Sequence, residues 1–163
     1  MPILPRHHSC GTQRRGRVMD PRIEFVPMPR AGIDHIRCAA HALAVINAQP
    51  PPPATTQITV LALDDKHRAV GLMTVADPPD RDAVVTVASL VAGAHDRTRA
   101  ARDAVVLASF RPTDDTVVSD IDRWIECSDI FDQANIDLLE WFVIGRHVTC
   151  PREFTFERAR WRP

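Results

Sequence analysis

The run from Asp103 to Ser109 (DAVVLAS) carries no polar side chain between its first and last residues, and this constrains the fold more than any other stretch. It is too short for a helix buried all round. A strand apolar on both faces needs cover on both, so the run predicts a strand inside an α/β layer, with any site near its C-terminal end. The flanking segments fit that frame. Thr56 to Leu63 (TQITVLAL) reads as a buried strand, Asp64-Asp65-Lys66-His67 as a polar turn, and Ala69 to Ala76 (AVGLMTVA) as the returning strand of a β-hairpin. From Ala83 to Ala94, Val84, Val87, Leu90 and Val91 recur at helical spacing behind Asp80 and Asp82, acids that suit a helix N-terminus; the valines leave a strand as the alternative. Ser119 is read as the cap of a helix through Ile121, Trp124, Ile125, Cys127 and Ser128. Asp137 to Ile144 (DLLEWFVI) is a strand ended by Gly145, and His147 to Cys150 a last short one. The order ββαβαββ predicts an α/β protein with a mixed β-sheet flanked by helices.

The 163 residues suit one domain with tails. Residues 1–20 are Pro, Arg, His, Gly and Gln without apolar periodicity, which predicts a disordered leader, and Met19 is a candidate start. Residues 21–53 divide into an arm or edge strand around Ile23, Phe25 and Val26, a helix from Ala31 to about Ala48, and a polyproline spacer at residues 50–53. The main domain is assigned to 54–153 and a basic-aromatic tail to 154–163. A net charge of -1 gives no overall field for nucleic acid or an acidic membrane. No apolar run is long enough to span a bilayer, so no membrane partner is expected. Cys10, Cys38, Cys127 and Cys150 form no Cys-x-x-Cys pair, which predicts reduced thiols and a cytoplasmic protein. Lys66 is the one lysine among many Arg, Ala, Val and Pro, a bias usual in bacterial genomes rich in GC.

The segment Val105 to Asp122 reads VVLASFRPTDDTVVSDID. It resembles the core of RadC-type JAB/MPN domains, whose metal motif runs His-x-His-Pro, six residues, then Ser-x-x-Asp. Here Pro112, the spacing, Ser119 and Asp122 match, while Ser109 and Arg111 stand where histidines belong. The hairpin opening VLALDDKHRAVG and the closing LLEWFVIGRHVTCPRE are similar in type and order to the family's first and last strand pairs, so the resemblance covers about Gln57 to Glu153. It implies an MPN/JAB, cytidine-deaminase-like architecture. In that family two His and one Asp hold zinc beside an open position, and a Glu from an earlier strand takes a proton from the bound water. Serine is a poor zinc ligand, and a guanidinium has no lone pair and repels a cation. The position expected for the Glu falls near Leu72 or Met73, where no acid occurs. The resemblance therefore implies a degenerate site at Ser109, Arg111, Ser119 and Asp122, no catalytic residue, no cofactor and no zinc. Arg111 is expected to point at Asp122, standing where the metal charge stood.

Two other function classes stay open: a metal-dependent hydrolase with atypical ligands, and a DNA-associated module whose Arg158, Arg160, Trp161 and Arg162 contact nucleic acid, interleaved as they are with Phe154 and Phe156. The favoured expectation is a non-catalytic protein-interaction or scaffold module, binding a protein partner or itself as a homodimer. His7 and His8 are read as leader residues, and His35 and His41 are spaced too widely to form a ligand pair on one helix face. His95 is a remote candidate for a Ser-His-Asp set with Ser109 or Ser119. Asp114, Asp115, Asp120 and Asp122 are candidates for attracting magnesium, but read better as solvated acids before and at a helix start.

Overall fold

The computed structural model describes residues 27–95 and 101–161. Its elements are α1 (Ala39–Ile46), β1 (Gln57–Leu63), β2 (Ala69–Ala76), α2 (Ala83–Ala94), β3 (Asp103–Phe110), α3 (Ser119–Gln133), β4 (Ile136–Ile144) and β5 (Val148–Thr149), followed by a 3-10 turn over Pro151–Thr155. The sheet order is β2-β1-β3-β4-β5; β3 and β4 run parallel and the other neighbours antiparallel. The chain is thus an α/β protein with a mixed sheet flanked by helices.

β3 occupies the centre because it is buried from Ala104 onward. Successive strand residues point to opposite faces, so the apolar run feeds two cores at once. Val105 and Leu107 join Ile58, Val60 and Leu138 beneath Val84 and Val87 of α2 and Trp124 and Phe131 of α3. On the other face Val106, Ala108 and Phe110 join Leu61, Leu63 and Phe142 beneath Leu43 and Ile46 of α1. Each large apolar side chain so buried contributes about 1.5–3 kcal/mol. In β4, Leu138 lies opposite Val105 and Glu140 opposite Val106, so Leu139 is the extra residue of a bulge, and Leu138 and Leu139 serve different cores.

Three sequence expectations change. The N-terminal helix is shorter than the run from Ala31 to Ala48, because the chain's first part pairs with the hairpin instead. Gly32 takes a left-handed φ of 68° and donates its N–H to the Ala69 carbonyl at 2.8 Å, His35 bridges to Arg68, and Ile36 N–H donates to His67 at 2.7 Å. Ser119 is not a cap: Val118 holds that position and makes no capping side-chain bond. The α3 helix runs on to Gln133, past Ser128. By contrast α2 keeps the bounds read from sequence and is a helix; the Asp80 carboxylate accepts the Ala83 N–H at 3.0 Å. The expected leader and the arm at Ile23, Phe25 and Val26 lie outside the described residues.

Gly145 ends β4 where the loop after β3 comes closest. A Cβ there would lie 2.1 Å from the Asp114 carbonyl oxygen, a backbone atom that cannot swing aside. Gly93, inside α2, has open space around its missing Cβ. Gly145→Ala is therefore expected to lower stability by about 1–3 kcal/mol and Gly93→Ala to raise it by about 0.4–1 kcal/mol, both measurable by denaturant unfolding.

Candidate functional site

Ser109 and Arg111 follow the strand alternation out of β3, on the face covered by α3. Ser109 is buried, and its hydroxyl accepts the Trp141 indole N–H at 3.0 Å. The chain then turns at Arg111, whose N–H donates to the Ile144 carbonyl at 2.8 Å. This aims the Arg111 side chain under the first turn of α3. There it grips a carboxylate with both terminal guanidinium nitrogens, at 2.7 and 3.0 Å. The carboxylate belongs to Asp120, not to Asp122 as expected. Asp120 is wholly buried, whereas Asp122 is exposed.

The reason lies in helical spacing. Asp120, Trp124, Cys127 and Phe131 make the buried stripe of α3, and a residue two places after Asp120 faces away from it. Asp120 also accepts the Val117 N–H at 2.9 Å and a bond from Arg123 at 3.1 Å. Arg123 reaches Asp82 before α2 at 2.7 Å and the Ser119 hydroxyl at 2.8 Å. The Arg111 guanidinium lies 5.7 Å from the centre of the Trp141 ring, within cation–π range. Burial by itself would raise the Asp120 carboxyl, but the bonds from Arg111, Val117 and Arg123 outweigh it and hold the group below its ordinary value. The result is a chain of charges, Arg111–Asp120–Arg123–Asp82, tying β3, α3 and the start of α2 together.

A cleft of about 210 Å³ opens beside the network between the start of β1, the Pro78–Pro79 turn and the loop after β3, with Ser109, Phe110 and Arg111 in its wall. Arg81 and Asp114 pair across this region at 2.8 Å. Among the described residues no group of three or more His, Cys, Asp or Glu is placed to hold a metal ion. Ser109 lies opposite Ile58, and Ile58 opposite Val75, so the position level with Ser109 in β2 is Val75 and not Leu72 or Met73. It too has no carboxylate.

Compared with protein-family models and with curated proteins, the sequence matches none.

The remaining candidates separate. His95 stands at the C-terminal end of α2, near Asp103 at the start of β3. Ser109 is six residues further along that strand, about 20 Å away, so His95 and Ser109 form no Ser-His-Asp set. His35 Nδ1 lies 2.6 Å from the Lys66 carbonyl and His41 Nδ1 accepts the Arg37 N–H at 3.3 Å, so the two make separate contacts. Asp115 accepts the His147 N–H at 3.3 Å. In the tail, Arg160 donates to the Ser128 hydroxyl at 2.8 Å and lies 5.7 Å from the Trp124 ring centre, and Trp161 packs against the second core. Arg158 is exposed, while Arg162 lies outside the described residues. Cys38, Cys127 and Cys150 are free thiols, and burial pushes Cys127 up to about 12.

A second buried ion pair went unread in the sequence. Arg152 grips Glu140 through two nitrogens at 2.9 and 2.7 Å, anchoring the 3-10 turn to β4. Burial pushes the Glu140 carboxyl above its ordinary range against the pull of Arg152. The odd acid within DLLEWFVI was the available signal, because a carboxylate inside a buried strand needs a partner.

Removing the charge of Asp120 would leave Arg111 buried beside an uncompensated site. Asp120→Asn is expected to cost about 3–5 kcal/mol, while Asp122→Asn changes stability by less than about 0.5 kcal/mol. Because the folded-state pKa of Asp120 is depressed, its contribution is present above the unfolded carboxylate range, near pH 4, and is lost as pH falls through the folded value. Unfolding followed from pH 6 to pH 2 should therefore show a smaller acid loss in Asp120→Asn than in the wild type.

Proposed function

We propose that this chain is a non-catalytic module of RadC-like JAB/MPN type, acting through protein contacts rather than by hydrolysis. The observation that carries the reading is the charge network at the end of β3: Arg111 and Asp120 bind each other, and Arg123 bonds to Asp120 as well. A guanidinium there supplies positive charge as a metal would, yet offers no open coordination position and no lone pair. Ser109 is likewise engaged, by Trp141. The order of strands and helices between Gln57 and Thr149 is compatible with the architecture that the resemblance implies. Free cysteines suit a reducing cytoplasm, and among the described residues no helix is long and apolar enough to cross a membrane. Nucleic-acid binding by the tail has less support as a second reading, since Arg160 and Trp161 are already engaged in packing.

Metal analysis of the full chain, purified without chelators and then dialysed against zinc, tests the proposal. Zinc well below one equivalent per chain is expected. One equivalent retained after dialysis and lost in Ser109→Ala or Asp120→Asn would overturn the reading in favour of a hydrolase with unfamiliar ligands.

A further inference from the structure

We infer that the cleft beside the charge network binds an organic carboxylate about the size of one amino-acid residue, held by Arg81. This goes beyond the non-catalytic reading and does not depend on it.

The cleft lies where a sheet of this kind takes a ligand. β2 and β3 are both antiparallel to β1, and β4 is parallel to β3, so these three strands end at the same edge. The cleft opens at that edge, outside the carboxyl ends of the strands. Ile58, Pro78, Pro79 and Phe110 give it an apolar wall, and Arg81 and Thr113 bring polar groups to it. An apolar wall with a few polar groups to fix orientation is the usual make-up of a small-molecule site. At about 210 Å³ the cleft is smaller than the roughly 300–1,000 Å³ that drug-sized ligands occupy, so its occupant is small.

Both walls are fixed before anything binds. On one side the Asp77 N–H donates to the Thr56 carbonyl at 3.0 Å and Asp80 accepts the Ala83 N–H at 3.0 Å, with the two prolines between them. On the other, the Asp114 N–H donates to the Arg111 carbonyl at 3.1 Å and Asp115 accepts the His147 N–H at 3.3 Å. A ligand entering such a cleft has little protein left to order.

Charge sets the class of occupant. The side chains of Arg111 and Arg123 are 8% and 15% exposed, and both bind the wholly buried Asp120. Asp82, the other partner of Arg123, is 75% exposed, and Asp80 and Asp114 are exposed as well, so water and salt screen all three. The buried charge behind the cleft is therefore two guanidiniums on one carboxylate, a positive balance that favours an anion. Arg81 is the group placed to hold it. Its Nη2 meets an Asp114 oxygen at 2.8 Å, an exposed pair of small worth. A ligand carboxylate can displace Asp114 and take the planar fork of Arg81 in a two-point grip, with its apolar body against Pro78 and Phe110.

Amide chemical shifts of the full chain, followed by NMR during titration with N-acetylvaline, N-acetylvalinamide and the peptide acetyl-Gly-Gly-Val, test this. N-acetylvaline is expected to move the Arg81, Ser109 and Thr113 amides and to saturate at millimolar concentration, while the uncharged amide leaves them in place. Arg81→Gln should weaken binding about tenfold, and Arg81→Lys less. Asp114→Asn should tighten it severalfold by freeing Arg81, a gain that a purely structural pair would not give. A peptide that binds more tightly than N-acetylvaline supports the site and makes its carboxylate a chain terminus; a peptide that is excluded supports it and makes the ligand a free small acid. The inference is overturned if those amides stay unmoved by N-acetylvaline and by the peptide up to about 20 mM, if the amide moves them equally, or if Asp114→Asn weakens binding as Arg81→Gln does. Each of these leaves the non-catalytic reading standing, since that reading is decided by bound zinc.

Discussion

A buried guanidinium in a two-point grip on a buried carboxylate ties the C-terminal end of the central strand to the helix that covers it. Arg111 leaves β3 where the central strand runs out, and Asp120 sits in the first turn of α3. Neither could be buried alone without a penalty of several kcal/mol. Together they set where the loop after β3 returns, and Arg123 extends the tie to Asp82 at the start of α2. The Trp141–Ser109 bond and the Arg111–Trp141 contact close the same corner from β4. The segments meeting here are those that would shape an active site in a sheet of this kind, and here Arg111, Asp120 and Arg123 bind them together.

Much of the sheet was legible because apolar patterning and turn chemistry agreed. β1, the hairpin turn, β2 and the central β3 follow from short apolar runs bounded by polar residues, and α2 keeps its bounds because Asp80 stops it at one end and its valines still fall on one face. The N-terminal helix was over-read because Ile33 and Ile36 fit a helical stripe, yet the backbone before Cys38 bonds to the hairpin, a tertiary choice invisible to local periodicity. Such override of local pattern by long-range pairing is what single-sequence reading cannot anticipate.

The site shows the same division. Ser109 and Arg111 stand out in the sequence because they occupy the motif's histidine positions at the end of the central strand. Their partner is not Asp122, the acid that the motif spacing indicates; the stripe of Trp124, Cys127 and Phe131 marks Asp120 as the buried acid. The tail's arginines and aromatics divide between packing and solvent in a way composition does not foretell: Trp161 packs on the second core while Phe156 is 90% exposed. A fold does not carry chemistry with it, and here the residues at the end of the central strand decide the reading.

The most direct measurement is a double-mutant cycle on the Arg111–Asp120 pair, using Arg111→Met, Asp120→Leu and the combined variant in denaturant unfolding. A buried charge tie of this kind predicts two costly single substitutions, a double variant nearer the wild type than either, and a coupling of about 3 kcal/mol. Additive effects, with coupling under about 0.5 kcal/mol, would contradict it, because the two charges would then be neighbours without being the tie that holds this corner together.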